Sequence, residues 1–280
     1  MSSTEAGQVY RGNLDKLVAK ILAERGFDLA RYRTPYLERR IGARLRTLGL
    51  HSYRQYADFL DAHDDEYQQL LDVLTINVTD FFRDPTVFEL FRNEIVPSMI
   101  SEKSRTRQRM IRAWSAGCST GEETYSVAMS LLDGLKKSRP GYLLTVLGTD
   151  LDPKALEIAE LAEYSVDKIQ HVPKPLRLKY LEVSGDKFRV RPEVTSHVKF
   201  RRLNLFSDKP ISMVDVIFCR NVFIYFSREQ QETVIEMFSG ALSRGGYLVL
   251  GRSERLVPSM ASRFELVNGR ERVYRKPRLR

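Results

Sequence analysis

Leu14, Leu17, Val18, Ile21 and Leu22 recur at three- and four-residue intervals, the spacing of one helix face, and Gly26 ends the run. A second helix is expected to start near Pro35, with Leu37, Ile41, Leu45 and Leu48 forming a single stripe that Gly49 stops. Arg39 and Arg46 then fall on the opposite face, and Arg40 and Arg44 flank the stripe. Third and fourth helices are expected from Ser52 to His63 and from Asp65 to Leu74. Nothing in this stretch alternates as a strand would, so residues 1–76 read as a small all-α domain.

The texture then changes. Thr75 to Pro85 interleaves polar and aromatic residues, Pro85 opens a short helix, and residues 101–109 are polar and basic. Residues 77–109 are therefore expected to be a connecting segment. From 110 onward strands and helices alternate. Strands are expected at Met110–Ser115, Leu143–Thr149, His197–Leu203, Val214–Cys219 and Tyr247–Gly251, with a closing hairpin across Asn268-Gly269. Helices are expected after the first strand as far as Lys137, from Pro153 to Ala162, and from Arg228 to Leu242. Residues 163–196 are less regular, and Gly185-Asp186 reads as the turn of a small hairpin inserted at about 176–197. The expected fold is thus α/β: a Rossmann-like, seven-stranded domain over 110–280 with a small β-hairpin insertion, preceded by the small all-α domain.

Composition narrows the class. The chain has 280 residues, 42% of them hydrophobic, which is ample for a core. It has no apolar run long enough to span a membrane, and its start lacks a basic-then-apolar signal pattern. Only Cys118 and Cys219 are present, and no Cys/His group has metal-ligand spacing. A reduced, cytoplasmic protein without a metal is expected. The net charge of +9 suggests an acidic partner, either nucleic acid or an acidic protein surface. Arg31, Arg33, Arg39, Arg40, Arg44, Arg46 and Arg54 are accompanied in their span only by Glu38, whereas Asp58 to Asp72 holds acids alone. The arginine face could dock an acidic helix or nucleic acid; equally, the two blocks could neutralise each other or lie in solvent.

The candidate chemistry centres on Met110–Glu123, a strand running through Ala116, Gly117, Ser119 and Gly121 into a helix start. Small residues there let a ligand approach the backbone, and the helix presents its N–H groups to it. Glu122 would repel a pyrophosphate but suits a ribose hydroxyl or a cation, so a nucleoside without a diphosphate is indicated. S-adenosylmethionine fits that description. Asp150 ends the second strand, where doubly wound folds read ribose hydroxyls, although it could instead cap the Pro153 helix. Asn77, Thr79 and Arg83 form a polar constellation or a helix-capping connector.

Four segments together carry a family resemblance: Asn77-Val-Thr-Asp-Phe-Phe-Arg83, Trp114-Ser-Ala-Gly-Cys-Ser-Thr-Gly-Glu-Glu123, Gly148-Thr-Asp-Leu-Asp152 and Ile217-Phe-Cys-Arg-Asn-Val-Phe-Ile-Tyr-Phe226. In these the chain resembles the CheR family of chemotaxis receptor glutamate O-methyltransferases. The resemblance implies S-adenosylmethionine as cofactor, S-adenosylhomocysteine as product, and methyl-accepting chemotaxis receptors with acidic helices as partners. No metal, no nucleic acid, no membrane insertion and a monomer are also expected. The Asn/Asp-Pro-Pro-aromatic motif of nucleic-acid amino-methyltransferases is missing after the fourth strand, which counts against the nucleic-acid reading.

By that resemblance Asn77, Thr79 and Arg83 would line the methionine end and the reacting centre. Glu122 would meet the cofactor, Asp150 its ribose, and Asn204-Leu205 its adenine. Arg220 and Asn221 would border the pocket. Arg83 and Tyr225 would be the catalytic pair, with Tyr225 facing the methyl group. From the clustering of arginines, and not from the resemblance, Arg39, Arg40, Arg44 and Arg46 are expected to dock the substrate. The turn Glu182-Val-Ser-Gly-Asp-Lys187 is shorter than in members that bind a receptor pentapeptide, which implies the pentapeptide-independent kind. Phe82, Phe223 and Phe226 would line a low-dielectric pocket or serve as ordinary core. Two other readings stay open: a non-catalytic S-adenosylmethionine-binding scaffold, and a methyltransferase of another protein or a small carboxylic acid.

Overall fold

In the helical part of the chain, the apolar stripes dictate the packing. The computed structural model describes residues 3–25, 28–74, 79–136, 141–209 and 211–278. They fall into two units, Met1–Ile76 with Tyr225–Gln230, and Asn77–Ile224 with Gln231–Arg280. The first unit contains α1 (Ser3–Arg25), α2 (Thr34–Thr47), α3 (Tyr53–Ala62) and α4 (Asp64–Leu74). Leu14, Leu17, Val18 and Ile21 of α1 and Tyr36, Leu37 and Ile41 of α2 are buried. The Ser52 hydroxyl caps α3 by accepting from the Gln55 N–H at 3.1 Å.

The polar centre of this unit is Glu66, only 2% exposed. Arg44 holds it with two bonds, Nε to Oε1 at 2.8 Å and Nη2 to Oε2 at 2.5 Å, and the Tyr56 hydroxyl donates to it at 2.7 Å. Of the four arginines expected to dock substrate, Arg44 is therefore turned inward. Arg39 and Arg46 are exposed, and Arg40 is half-buried with its guanidinium 5.8 Å from the Tyr36 ring centre.

The second unit runs α5 (Pro85–Leu90), α6 (Val96–Arg105), β1 (Met110–Ala116), α7 (Glu122–Lys136), β2 (Leu143–Asp150), α8 (Pro153–Leu161), β3 (Glu163–Ser165), α9 (Lys174–Tyr180), β4 (Leu181–Ser184), β5 (Lys187–Val190), α10 (Pro192–Thr195), β6 (Val198–Arg202), β7 (Val214–Cys219), α11 (Arg228–Ala241), β8 (Leu242–Leu250), β9 (Glu265–Asn268) and β10 (Val273–Arg275). Seven strands make one sheet in the order β6-β2-β1-β7-β8-β10-β9. The first five are parallel; β10 lies antiparallel to both β8 and β9. β7 is buried at every position, as a central parallel strand must be. Helix α7 is buried from Glu122 through Leu132.

Chain order leaves β1 outward through β2 to β6, then returns to β7 on the other side of β1. That reversal opens a crevice beyond the carboxyl ends of β1 and β7, the position where open α/β sheets take ligands.

Two elements differ from the expected ones. β8 begins at Leu242 rather than Tyr247, because Leu242 already pairs with Val214 before a register shift restores the ladder at Val216. The inserted hairpin β4–β5, turning at Gly185, gains a third strand: β3 pairs antiparallel with β5, completing a three-stranded sheet. Three residues are too few to announce a strand by alternation. No helix among the described residues is long and apolar enough to cross a membrane.

Candidate active site

The loop after β1 is fixed by the end of β2. The N–H groups of Gly117 and Cys118 both donate to the Thr149 carbonyl, at 2.8 and 2.9 Å, and Trp114 Nε1 donates to the Thr149 hydroxyl at 2.8 Å. Gly117 takes φ +74°, and a Cβ there would lie 2.6 Å from Val222 Cγ2, so only glycine lets the loops after β1 and β7 meet.

Asp150 accepts from the Ser119 N–H at 2.7 Å on one oxygen and from the Leu151 and Asp152 N–H groups at 2.7 and 3.0 Å on the other. Helix α8 is capped by Asp152, which accepts from Lys154 and Ala155. The capping alternative for Asp150 is thereby closed. Burial pushes the Asp150 carboxyl above its ordinary value, against the pull of these three N–H donors. The carbonyl of Asp150 accepts from Leu203 at 2.9 Å, which brings the start of the Asn204-Leu205 turn beside it. Both turn residues are half-buried, and Asn204 Oδ1 accepts from the Phe206 N–H at 3.0 Å.

The first turn of α7 carries two buried acids. Glu122 is fully buried; the Thr120 hydroxyl donates to its Oε2 at 2.6 Å, and the Lys168 ammonium pairs with its Oε1. Lys168 also donates to the Thr79 carbonyl at 3.2 Å. Glu123 accepts from the Ser115 hydroxyl at 2.8 Å and lies 3.5 Å from Arg220 Nη1. Burial raises the Glu123 carboxyl and Arg220 opposes that rise. The other arm of Arg220 reaches Asp84 Oδ2 at 2.5 Å, and its guanidinium lies 5.7 Å from the Phe88 ring centre.

Among the described residues, four of the eight non-glycine residues with positive φ lie in this region. Phe82, Asp84, Ser119 and Asn221 all have positive φ, a conformation that asparagine and aspartate tolerate and that costs roughly 1–2 kcal/mol at Phe82 and Ser119. Each is over-determined by its neighbours. The Phe82 N–H donates to Ser126 Oγ at 2.9 Å, and Asp84 is held by Arg220. Asn221 is held by Glu254, which lies outside all four motif segments. Its carboxylate accepts N–H bonds from Gly251, Asn221 and Ile224 at 2.6, 3.0 and 3.3 Å, and burial raises it above its ordinary value. An acid three residues beyond the glycine that ends β8 was the available signal.

The second unit thus brings Thr79 and Glu122 together through Lys168, sets Asp150 beside the β1 loop and the Asn204 turn, and joins Arg220 to the 79–84 segment. Arg220 acts as a buried brace, its side chain only 2% exposed. Arg83 is half-buried, and its N–H donates to the Asp80 carbonyl at 3.4 Å. Asn77 lies outside the described residues. Tyr225 packs in the first unit, its ring 4.9 Å from that of Tyr36 and its carbonyl accepting from the Arg33 N–H at 3.0 Å. Phe82, Phe223 and Phe226 are buried in ring contacts with Phe88, Phe238 and Tyr32, which is the core reading of all three.

The donor set fits S-adenosylmethionine. An acceptor carboxylate ends β2, a buried acid suits an ammonium, and a glycine turn at the strand crossing admits a nucleoside. Among the described residues no group of three or more His, Cys, Asp or Glu is placed to hold a metal ion.

Residues 77–273 match the family model for the CheR methyltransferase SAM-binding domain, and residues 12–75 match that for the CheR methyltransferase all-alpha domain. The chain is 32% identical over 253 residues to a chemotaxis protein methyltransferase of Borreliella burgdorferi, covering 89% of each. It is 33% identical over 246 residues to the chemotaxis protein methyltransferase of Escherichia coli, covering 85% of this chain and 82% of that one. With chemotaxis protein methyltransferase 2 of Pseudomonas aeruginosa it shares 34% identity over 238 residues, covering 83% and 82%.

Proposed function

This chain belongs to the CheR methyltransferase family, and from that premise we propose that it methylates glutamate side chains of chemoreceptors in the cytoplasm, for adaptation in chemotaxis. The products are glutamyl methyl esters and S-adenosylhomocysteine. The observation that carries the reading is the meeting of the motif segments at one crevice of the sheet: Thr79 through Lys168 with Glu122, and Asp84 through Arg220 with Glu123.

The substrate carboxylate is ionised at neutral pH and needs no general base. The bound cofactor supplies an activated methyl group on a sulfonium that leaves as a neutral thioether. The protein's work is positioning, which can be worth about 7–11 kcal/mol. Asp150 accepts from the ribose hydroxyls, Glu122 receives the α-ammonium, and the Asn204-Leu205 turn flanks the adenine. Asn77 and Thr79 line the methionine end, and Arg220 and Asn221 border the pocket. Arg83 holds one oxygen of the substrate carboxylate by a charge-assisted bond and leaves the other to attack. Tyr225 is the second residue that the family resemblance assigns to the reaction. Arg39 and Arg46, exposed on α2, meet the acidic receptor helix, with Arg40 beside them. The short β4–β5 turn leaves this docking to the arginine face rather than to a pentapeptide tether.

The test is transfer of labelled methyl from S-adenosylmethionine to membranes bearing chemoreceptors, followed by mild alkali. Volatile label that disappears with Arg83→Ala supports a glutamyl ester and Arg83 at its centre. Alkali-stable label would overturn the ester.

A further inference from the structure

The small three-stranded sheet touches the site twice. The Tyr164 hydroxyl on β3 donates to the Thr120 carbonyl at 2.7 Å, in the loop between β1 and α7. Immediately after β3, a single turn, Val166–Ile169, carries Lys168 to Glu122 and to the Thr79 carbonyl. That turn is pinned at both ends: the Val166 N–H donates to Asp186 at 2.9 Å, and Arg177 Nη2 donates to Ile169 at 2.9 Å. Lys168 is thus delivered by a braced element.

Glu122 is fully buried, so its carboxylate depends on neighbouring donors to satisfy and orient it. Lys168 is the cation that faces it, and the Thr120 hydroxyl orients the other oxygen. A carboxylate offers about four lone-pair sites, so two such bonds fix its plane and still leave acceptor capacity.

We propose that Lys168 is a positioning residue for the cofactor: by pairing with Glu122 and orienting its carboxylate it sets recognition of the α-ammonium at the methionine end, and through it the small sheet controls cofactor affinity. This rests on the reading of Glu122 as the ammonium acceptor.

The experiment compares calorimetric Kd values for S-adenosylhomocysteine and its analogue lacking the α-amino group, in the full chain and in Lys168→Met, Lys168→Gln, Lys168→Arg and Glu122→Gln. A charge-assisted bond predicts that the wild type prefers the amine-bearing ligand by about 10- to 100-fold. Lys168→Met is expected to shrink that preference to less than about threefold, and Lys168→Arg to restore most of it. Where Lys168→Met does not fold, Lys168→Gln, which keeps a donor without charge, takes its place and is expected to give an intermediate preference. A purely structural lysine would weaken both ligands equally and leave their ratio unchanged; that result overturns the inference. If Glu122→Gln loses the preference while Lys168→Met and Lys168→Gln keep it, the inference about Lys168 falls alone. If Glu122→Gln keeps it, the reading of Glu122 falls and the inference with it.

Discussion

Arg220 and Asp84 meet at 2.5 Å although 136 residues separate them in sequence. The contact ties the segment before α5 to the end of β7, and Glu123 adds the start of α7. Removing Arg220 leaves one buried acid and one half-buried acid without their cation. Arg220→Met is expected to cost about 3–5 kcal/mol in urea unfolding, and Asp84→Asn, at the more exposed end, clearly less.

The pair in the helical unit predicts a division among the arginines. Arg44→Met strands Glu66, which is only 2% exposed, and is expected to lower the unfolding free energy by about 3–5 kcal/mol. Charge reversal at both Arg39 and Arg46 is expected to leave the melting temperature nearly unchanged and to raise the KM for receptor. Unchanged receptor methylation after the double reversal would remove this face from docking.

Gly117 gives a prediction with a built-in rescue. Gly117→Ala places a Cβ 2.6 Å from Val222 Cγ2 at φ +74°. Thermal unfolding is expected to show a loss of about 1–3 kcal/mol. Adding Val222→Ala should recover the steric part and leave about 1 kcal/mol from the backbone.

The proposed ribose contact of Asp150 predicts cofactor binding that is sensitive to acid: hydroxyls donating to the ionised carboxylate would lose an acceptor when it is protonated. Burial raises this carboxyl, so protonation begins at higher pH than for an ordinary aspartate near about 3.9. Affinity should be complete well above that range and fall as pH drops through it. Calorimetric titrations carried from neutral pH down toward the ordinary aspartate range should show the fall in the wild type beginning above that range, and weak, nearly flat binding in Asp150→Asn.

Glu254→Gln replaces an oxygen that accepts N–H bonds with an amide that can face them with donors. The expected loss is about 1–3 kcal/mol of stability. Weaker S-adenosylmethionine binding should follow, because the Asn221 turn loses its anchor. Wild-type melting and affinity in this variant would make Glu254 a passive neighbour.

The sheet was legible because its strands and helices are long and periodic, and because glycine turns mark the crossing. Asp150 was legible by place, at a strand end. What escaped was supplied by tertiary contact. Lys168 stands in an irregular stretch whose lysine has no periodic partner, and Glu254 acts on a turn 30 residues and more away. β3 needs β5 to exist as a strand. For Arg220, sequence gave the place, whereas only packing revealed that both its arms are occupied by acids.

Tyr225–Gln230 packs with the helical unit, its Tyr225 ring against Tyr36 and Phe226 against Tyr32. A gene shortened to begin after residue 76 would remove those aromatic partners of Tyr225 and Phe226 from the remaining protein. Trimming this chain to its sheet-bearing part therefore changes the surroundings of Tyr225 as surely as replacing the tyrosine would, and the shortened protein would not be a neutral reference for the activity of the whole.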